Sequence, residues 1–196
     1  MTAPRAAIFG CRGLELDARE RDFFAESDPL GFILFARNVD TPTQVRALVD
    51  ALREAVGRPA PVLIDQEGGR VQRLKPPHWR AAPPAAAFGA LAARDPAAAK
   101  RAAWLNARLI AGELKALGID IDCLPCLDLR HPEGHGVIGD RAYGDDPFLV
   151  ATLGRATCEG LRAGGVLPVV KHIPGHGRAG VDSHLELPRV TTAAAV

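Results

Sequence analysis

Five apolar segments along the chain have the length and composition of buried β-strands. They lack the alternation of apolar and polar residues that a strand with one solvent-facing side would show, so both faces of the sheet are predicted to be covered. The segments are residues 6–11, 31–36, 61–65, 119–129 and 166–172. This pattern predicts strands of a parallel sheet packed between helices.

Helical patterns fill the connections between these segments, and three of them have clear start signals. Thr41 is a candidate N-cap with Pro42 in the first helical position, and the apolar face that follows ends before Gly57. Two further helices are predicted to begin after Asp95 and Asp146, each of which precedes a proline. Helices therefore alternate with strands along the chain.

This alternation implies right-handed crossovers and a parallel sheet, either open and doubly wound or closed into a (β/α)8 barrel. No G-x-G-x-x-G or P-loop sequence follows a predicted strand, which disfavours a nucleotide-binding open sheet. Polar residues instead collect at the carboxyl ends of the strands, as a barrel active site requires. The predicted fold class is α/β, of the (β/α)8 TIM-barrel type, with about five of the eight units present.

The organisation of the chain is predicted to be a single domain, residues 1–196, truncated at its C-terminal end. A complete barrel takes about 250 residues, and residues 191–196 resemble the opening of a further helix. The Pro- and Ala-rich stretch 75–92 is predicted to be a long loop at the barrel rim.

The amino-acid composition argues against two classes of binding partner, nucleic acids and membrane surfaces. Hydrophobic residues make up 47% of the chain, and 24 Lys and Arg residues against 23 Asp and Glu residues give a formal net charge of +1. This balance provides no electrostatic attraction to nucleic acid or to a membrane surface. No apolar run reaches the roughly 20 residues of a membrane-spanning helix, and no secretory signal is recognised, so a cytoplasmic location is predicted.

Cys123 and Cys126 have the C-x-x-C spacing that occurs in redox and zinc sites. The pair lies within a predicted apolar strand, and the sequence contains no second C-x-x-C. All four cysteines are therefore interpreted as reduced thiols, and neither a metal nor a cofactor is predicted.

The densest group of chemically versatile residues is the segment 171–184, Lys-His-Ile-Pro-Gly-His-Gly-Arg-Ala-Gly-Val-Asp-Ser-His. Its three glycines and one proline predict a loop that displays its histidines. Asp182 and His184 are two residues apart, so the carboxylate can orient the imidazole and favour its protonated form. This pair is a candidate general acid and base.

Together with residues 64–74, this loop closely resembles glycoside hydrolase family 3. The resemblance runs from about residue 31 to residue 188 and includes Gly-Phe-Ile-Leu-Phe at 31–35 and Asp-Arg-Ala-Tyr-Gly at 140–144. Within the family, the motifs are similar to those of bacterial β-N-acetylglucosaminidases of peptidoglycan recycling. The resemblance implies a retaining β-N-acetylhexosaminidase that removes terminal β-linked N-acetylglucosamine from anhydro-muropeptides, as a monomer and without a cofactor.

The resemblance also implies roles for individual residues. His184 matches the general acid and base of the family, with Asp182 as its partner. The family's substrate contacts are matched by Asp65, Arg73, Arg141, Lys171 and His172. Charged groups suit this task because charge-assisted hydrogen bonds to sugar hydroxyls are worth roughly 1.5 to 3 kcal/mol each.

Two residues close to these motifs are interpreted as structural. Glu67 is predicted to support Arg70 or Arg73, and His176 is predicted to hold its loop by a hydrogen bond. The family's nucleophile is an aspartate that follows a later strand, and no residue of this chain matches it. The chain alone is therefore expected to be inactive or nearly so.

Two other functions remain open at this point. One is a non-catalytic module that binds N-acetylglucosamine without cleaving it. The other is a zinc-dependent hydrolase, for which Pro174 and Gly175 are unfavourable because they break the helix that would align two histidine ligands. Its candidate ligands are His172, His176, Asp182 and His184.

Overall fold

The computed structural model describes residues 3–190 of the chain. This part of the chain contains five α-helices: α1 (Ala18–Ser27), α2 (Pro42–Val56), α3 (Ala85–Ala92), α4 (Pro96–Ala116) and α5 (Pro147–Ala163). Its strands are β1 (Arg5–Phe9), β2 (Pro29–Leu34), β3 (Val62–Ile64), β4 (Gln66–Gly68), β5 (Val71–Gln72), β6 (Ile121–Asp122) and β7 (Leu167–Pro168). Short 3-10 helices span Ala36–Asn38 and Gly139–Arg141. None of the helices within residues 3–190 combines the length and the hydrophobicity needed to cross a bilayer.

Five strands form one parallel sheet in the order β1–β2–β3–β6–β7. Ile64 of β3 pairs with Asp122 of β6, which in turn pairs with Pro168 of β7. The carboxyl ends of these three strands therefore lie side by side. The predicted parallel α/β architecture is confirmed, and within residues 3–190 the sheet is open, with β1 and β7 at its edges.

The three helix starts predicted from the sequence are confirmed. The side chains of Thr41, Asp95 and Asp146 each accept a hydrogen bond from a backbone N–H in the first turn of α2, α4 or α5, at 3.3, 2.9 and 3.0 Å respectively. These bonds satisfy donors that have no partner inside the helix. Local sequence signals thus set where these helices begin.

The main hydrophobic core lies between the sheet and the helices. Phe32, Leu34 and Ile64 of the sheet are completely buried, and each contributes roughly 1.5 to 3 kcal/mol by leaving water. Helix α5 packs very closely on α4 because Gly160 has no side chain: a Cβ there would lie 2.3 Å from the carbonyl oxygen of Trp104. The core thus fixes the position of the sheet, and with it the residues at the carboxyl ends of its strands.

Two predicted strands are much shorter in the structure. Residues 119–129 contain only the two-residue strand β6, and residues 166–172 contain only the two-residue strand β7. Pro125 has no N–H to donate to a sheet ladder, which favours an end to regular pairing. Beyond it the two segments stay together, because the Leu127 N–H donates to the Lys171 carbonyl at 2.7 Å. The first predicted strand, residues 6–11, likewise ends early, at Phe9.

The prediction of an uninterrupted loop over residues 75–92 is wrong. Its last part forms α3, where Phe88 and Ala92 are buried in a second apolar cluster with residues of α4 and α5. Tertiary burial of this Ala-rich segment, rather than a side-chain cap, accounts for the helix. The antiparallel hairpin of β4 and β5 was also not predicted. The prediction for residues 191–196 lies outside the described residues.

Candidate active site

The predicted site residues follow the carboxyl ends of neighbouring strands. Asp65 comes directly after β3, Asp128 lies in the segment after β6, and Lys171 and His172 lie in the segment after β7. Glu67 lies in β4 of the hairpin that follows Asp65. The structure brings these residues together at one end of the sheet, which is where α/β barrels place their active sites.

Lys171 is the centre of this group. Its Nζ lies 2.7 Å from Asp65 Oδ1 and 2.6 Å from Glu67 Oε1. Arg73 donates from Nη2 to the other oxygen of Asp65 at 3.1 Å. One ammonium therefore bridges two carboxylates, and the Asp65 carboxylate is held between two cations.

Arg141 is joined to the same group through Glu67. Its Nε and Nη2 donate to the two oxygens of Glu67 at 2.9 and 2.8 Å, a bidentate pairing in which both side chains are largely buried. Arg141 Nη2 also lies 3.4 Å from His172 Nε2. We refer to Asp65, Glu67, Arg73, Arg141 and Lys171 as the strand-end cluster.

The prediction for Glu67 is wrong in its partners. Arg70, one of the two arginines it was expected to support, instead donates to Asp140 at 2.7 Å and to backbone carbonyls of residues 136–138. Arg73 bonds Asp65. Glu67 binds Arg141, which is 74 residues away in sequence, and nothing in the local spacing indicates that contact.

The charges of the strand-end cluster stabilise one another. Burial raises the pKa of Asp65, but the hydrogen bond and charge of Lys171 and the nearby Arg73 outweigh it, so the pKa lies below its ordinary value. Burial lowers the pKa of Lys171, but the Glu67 charge and the bonds to Asp65 and Glu67 raise it above its ordinary value. These shifts favour the ionised forms of Asp65 and Lys171.

Asp122 lies beneath this cluster at the end of β6. Its side chain is completely buried, and burial raises its pKa well above the ordinary value, with the charges of Asp65 and Glu67 acting in the same direction. The Gln66 N–H donates to one carboxyl oxygen at 3.0 Å. Burial therefore favours the protonated form of Asp122. Sequence reasoning missed it, although an acidic residue inside a predicted buried strand is a recognisable signal.

Asp128 organises the start of the loop that follows β7. One carboxyl oxygen lies 2.5 Å from His172 Nδ1 and 3.3 Å from Cys126 Sγ, and the other accepts the His176 N–H at 2.5 Å. Burial raises the pKa of Asp128, but the hydrogen bonds from His172 and His176 outweigh this effect, so the pKa lies below its ordinary value. His176 thus holds its loop as predicted, through its backbone N–H rather than its ring. Asp128 itself was not predicted as a site residue.

Asp182 and His184 form the pair that the sequence predicts. His184 Nδ1 lies 2.7 Å from Asp182 Oδ1, which also accepts the His184 backbone N–H at 2.9 Å. That backbone bond and then the imidazole contact lower the pKa of Asp182 below its ordinary value. The His184 side chain is 80% exposed, and within residues 3–190 no hydrogen bond joins the pair to the strand-end cluster.

The loop that carries this pair lies at the same end of the sheet as the strand-end cluster. The His135 N–H donates to the Ala179 carbonyl at 2.8 Å, which ties the loop to the segment after β6. A cavity of about 600 Å³ lies between the two segments, bordered by Asp128, Arg130 and Arg178 among others. The loop is thus positioned beside an open space large enough for a sugar-sized ligand.

The proposed zinc ligands of the alternative function do not assemble. Within the part of the chain that the structure describes, the grouping of potential metal ligands is Cys126, Asp128 and His172, whose donor atoms lie within 4.8 Å of one another. Asp182 and His184 are not members of this group. The four-residue set predicted for a zinc hydrolase is therefore not formed.

Comparison with known proteins now decides the family. Residues 14–195 match the model of the glycosyl hydrolase family 3 N-terminal domain. The chain belongs to glycosyl hydrolase family 3. The resemblance seen in the sequence motifs is confirmed.

Curated relatives of this chain are named beta-hexosaminidases. The protein from Xanthomonas euvesicatoria pv. vesicatoria (strain 85-10) is 43% identical over 179 residues, which cover 91% of this chain and 53% of the relative. The protein from Xylella fastidiosa (strain 9a5c) is 42% identical over 180 residues, covering 92% and 53%. The chain thus spans about half the length of the curated relatives it matches.

Two solved structures support the same fold. NagZ from Neisseria gonorrhoeae in complex with N-trifluoroacetyl-D-glucosamine aligns with a TM-score of 0.87 and 34% identity, covering 94% of this chain and 55% of that one. A family 3 beta-N-acetylglucosaminidase from Paenibacillus sp. str. FPU-7 aligns at 0.84 with 39% identity, covering 94% and 34%. The TIM-barrel type of the fold is therefore confirmed, with a sheet that is not closed within residues 3–190.

Proposed function

We propose that this family 3 chain provides the sugar-binding face and the acid/base pair of a β-N-acetylhexosaminidase that removes terminal β-linked N-acetylglucosamine from peptidoglycan fragments. The observation that carries this proposal is the preassembled strand-end cluster, since three distant segments bring together Asp65 and Arg73, Arg141, and Lys171. Curated relatives named beta-hexosaminidases support the class of reaction. We also propose that the enzyme acts in the cytoplasm as a monomer and needs no cofactor.

The cluster suits recognition of a neutral, hydroxyl-rich ligand. Asp65 offers carboxylate oxygens as acceptors, while Arg73 and Lys171 offer donors that are already held in place by Asp65. Because the donors and acceptors are fixed before the sugar arrives, little side-chain entropy is lost on binding. Arg141 and His172, which lie 3.4 Å apart, extend the same surface.

Proton transfer is assigned to His184. Asp182 holds the Nδ1 side of the imidazole at 2.7 Å, which leaves the other ring nitrogen free to face a glycosidic oxygen. An ionised Asp182 stabilises the imidazolium that forms when His184 acts as a base. In a retaining mechanism, His184 first protonates the leaving oxygen and then deprotonates the water that releases the sugar from an aspartate nucleophile. None of the residues that the structure describes is assigned the role of the aspartate nucleophile.

A binding assay tests the cluster directly. Saturable binding of N-acetylglucosamine to the chain is expected by ligand-observed NMR, and Arg73→Ala and Lys171→Ala are each expected to weaken it by about 10-fold or more, since each removes a charge-assisted hydrogen bond. Arg162→Ala and Lys100→Ala, which change exposed cations on α5 and α4, are matched controls. Equal binding by all five proteins would refute the assignment.

A non-catalytic N-acetylglucosamine-binding module is the second candidate. It is favoured by the contrast between the preassembled cluster and the His184 side chain, which is 80% exposed. Hydrolysis of 4-nitrophenyl N-acetyl-β-glucosaminide distinguishes the two functions. Turnover that is lost in His184→Ala supports the hydrolase. The assay is also made with the chain as part of a protein as long as its relatives. Sugar binding without turnover in that longer protein supports the binding module.

A further inference from the structure

We propose that Cys126, Asp128 and His172 form a binding site for a thiophilic divalent metal ion of the zinc type. The site shares His172 with the proposed sugar-binding surface, but it also depends on Cys126, to which the sugar-binding and acid/base roles assign nothing. It also differs from the ligand set considered from sequence, which contained no cysteine.

The donor atoms are of the right kinds and lie in one place. Cys126 Sγ is 3.3 Å from Asp128 Oδ2, which is 2.5 Å from His172 Nδ1, and all three lie within 4.8 Å of one another. Thiolate sulfur, imidazole nitrogen and carboxylate oxygen are the three ligand types that zinc takes, at about 2.0 to 2.3 Å. A central ion at those distances requires only that the aspartate and histidine move slightly apart.

The backbone fixes this arrangement before any metal arrives. Cys126 and Asp128 are two residues apart, and their side chains are in direct contact, with Sγ 3.3 Å from Oδ2. Cys126 pairs in parallel with Lys171, and the Leu127 N–H donates to the Lys171 carbonyl at 2.7 Å. His172, the next residue, is thereby placed beside the other two ligands, although it is 44 residues from Asp128 in sequence.

The surroundings favour an ion that enters from one side. Cys126 and Asp128 are buried, whereas the His172 side chain is 39% exposed and leaves a path from solvent. A cation bound there would be shielded from water on its inner side, which strengthens its attraction to the donors. Binding would release the thiol proton, and any proton shared by His172 and Asp128, to solvent, with no change in oxidation state.

The fourth ligand of the site would be His176, which lies outside the group of three donors in the structure. Both of its ring nitrogens are buried and have no hydrogen-bond partner among residues 3–190, a costly state for an imidazole. Its ring centroid lies 6.3 Å from that of His172, and its backbone N–H is held by Asp128 at 2.5 Å. A side-chain rotation toward the other three donors would complete the four ligands of a tetrahedral zinc site.

Zinc titration against a chromogenic chelator and cobalt spectroscopy test the site. One zinc ion per chain is expected, and Co²⁺ is expected to give a sulfur-to-metal charge-transfer band. Cys126→Ala is expected to abolish the band and weaken binding by at least about 100-fold, because a direct ligand matters more than its supporting shell. Cys123→Ala, which removes the neighbouring thiol, is the matched control and is expected to bind as the wild type does.

Several results would overturn the proposal. The first is the absence of stoichiometric zinc binding to the wild type, and the second is an unchanged zinc affinity and cobalt band in Cys126→Ala. The third is loss of zinc binding in His184→Ala with retention in Cys126→Ala, which would assign the metal to the Asp182–His184 pair. If Cys126→Ala fails to fold by circular dichroism, Cys126→Ser replaces it, and a retained charge-transfer band then refutes the site. His176→Ala is expected to weaken binding by about 10-fold or more, and an unchanged affinity would remove His176 from the ligand set.

Discussion

The strand-end cluster and the Asp182–His184 pair are both built from opposite charges, yet they depend on different parts of the fold. In the cluster, Glu67 and Arg141 are 5% and 11% exposed and are held by partners from several segments. Asp182 and His184 are joined to each other, and the imidazole is 80% exposed. The cluster is held by buried contacts between distant segments, whereas the pair is held by local contacts within one loop. This difference suits the proposed roles of binding and proton transfer.

The largest effect that separates the two regions is expected on stability. Glu67→Ala is expected to lower the free energy of unfolding by about 3 to 5 kcal/mol, because it leaves the buried Arg141 and Lys171 without their shared carboxylate. Asp182→Ala is expected to leave the denaturation midpoint unchanged, since that pair is exposed. Urea denaturation of both variants provides the measurement. Similar losses in the two would contradict the contrast.

An intermediate effect is expected on sugar affinity. His172→Ala is expected to raise the dissociation constant for N-acetylglucosamine by about 10-fold, because His172 borders the cluster through Arg141. His184→Ala is expected to bind the sugar with nearly wild-type affinity, because its imidazole acts on the leaving oxygen rather than on the ring hydroxyls. Isothermal titration with Lys100→Ala as a control distinguishes the two histidines. A larger loss of sugar affinity in His184→Ala than in His172→Ala would contradict the roles proposed for the two histidines.

The smallest effect is expected on the pH dependence of stability. Because the pKa of Asp65 is lowered in the folded protein, its contribution is fully present above the ordinary carboxyl pKa and is lost as the pH falls through the lower folded value. Asp65→Asn is therefore expected to show a shallower loss of stability than the wild type below about pH 4.

The salt dependence of carboxyl pKa values compares Asp65 of the cluster with Asp182 of the pair. The pKa of Asp182 is also lowered, and the part of this shift that comes from the charges of nearby exposed imidazoles is expected to be lost in about 1 M NaCl by screening. The half-buried Asp65 is expected to change less. Side-chain carboxyl NMR titrations at low and high salt measure both, and an equal response of the two carboxyls would show that burial does not protect the cluster.

The success of sequence reasoning differed between local and distant features. N-caps at Thr41, Asp95 and Asp146 and the pairing of Asp182 with His184 involve residues a few positions apart, so spacing alone predicts them. The contacts of Glu67 with Arg141 and of Asp65 with Lys171 join residues 74 and 106 positions apart. Several charged residues could have met each of these partners, and the sequence does not choose among them.

The sequence by itself determined the alternation of strands and helices, the family motifs and which residues lie at the carboxyl ends of the strands. Only the tertiary structure decided that Glu67 binds Arg141, that Asp122 is buried with a raised pKa, and that Asp128 contacts Cys126, His172 and His176. The physical reason is that hydrogen bonding and burial act over a few ångströms in space. Sheet register and helix packing decide which distant residues come within that range.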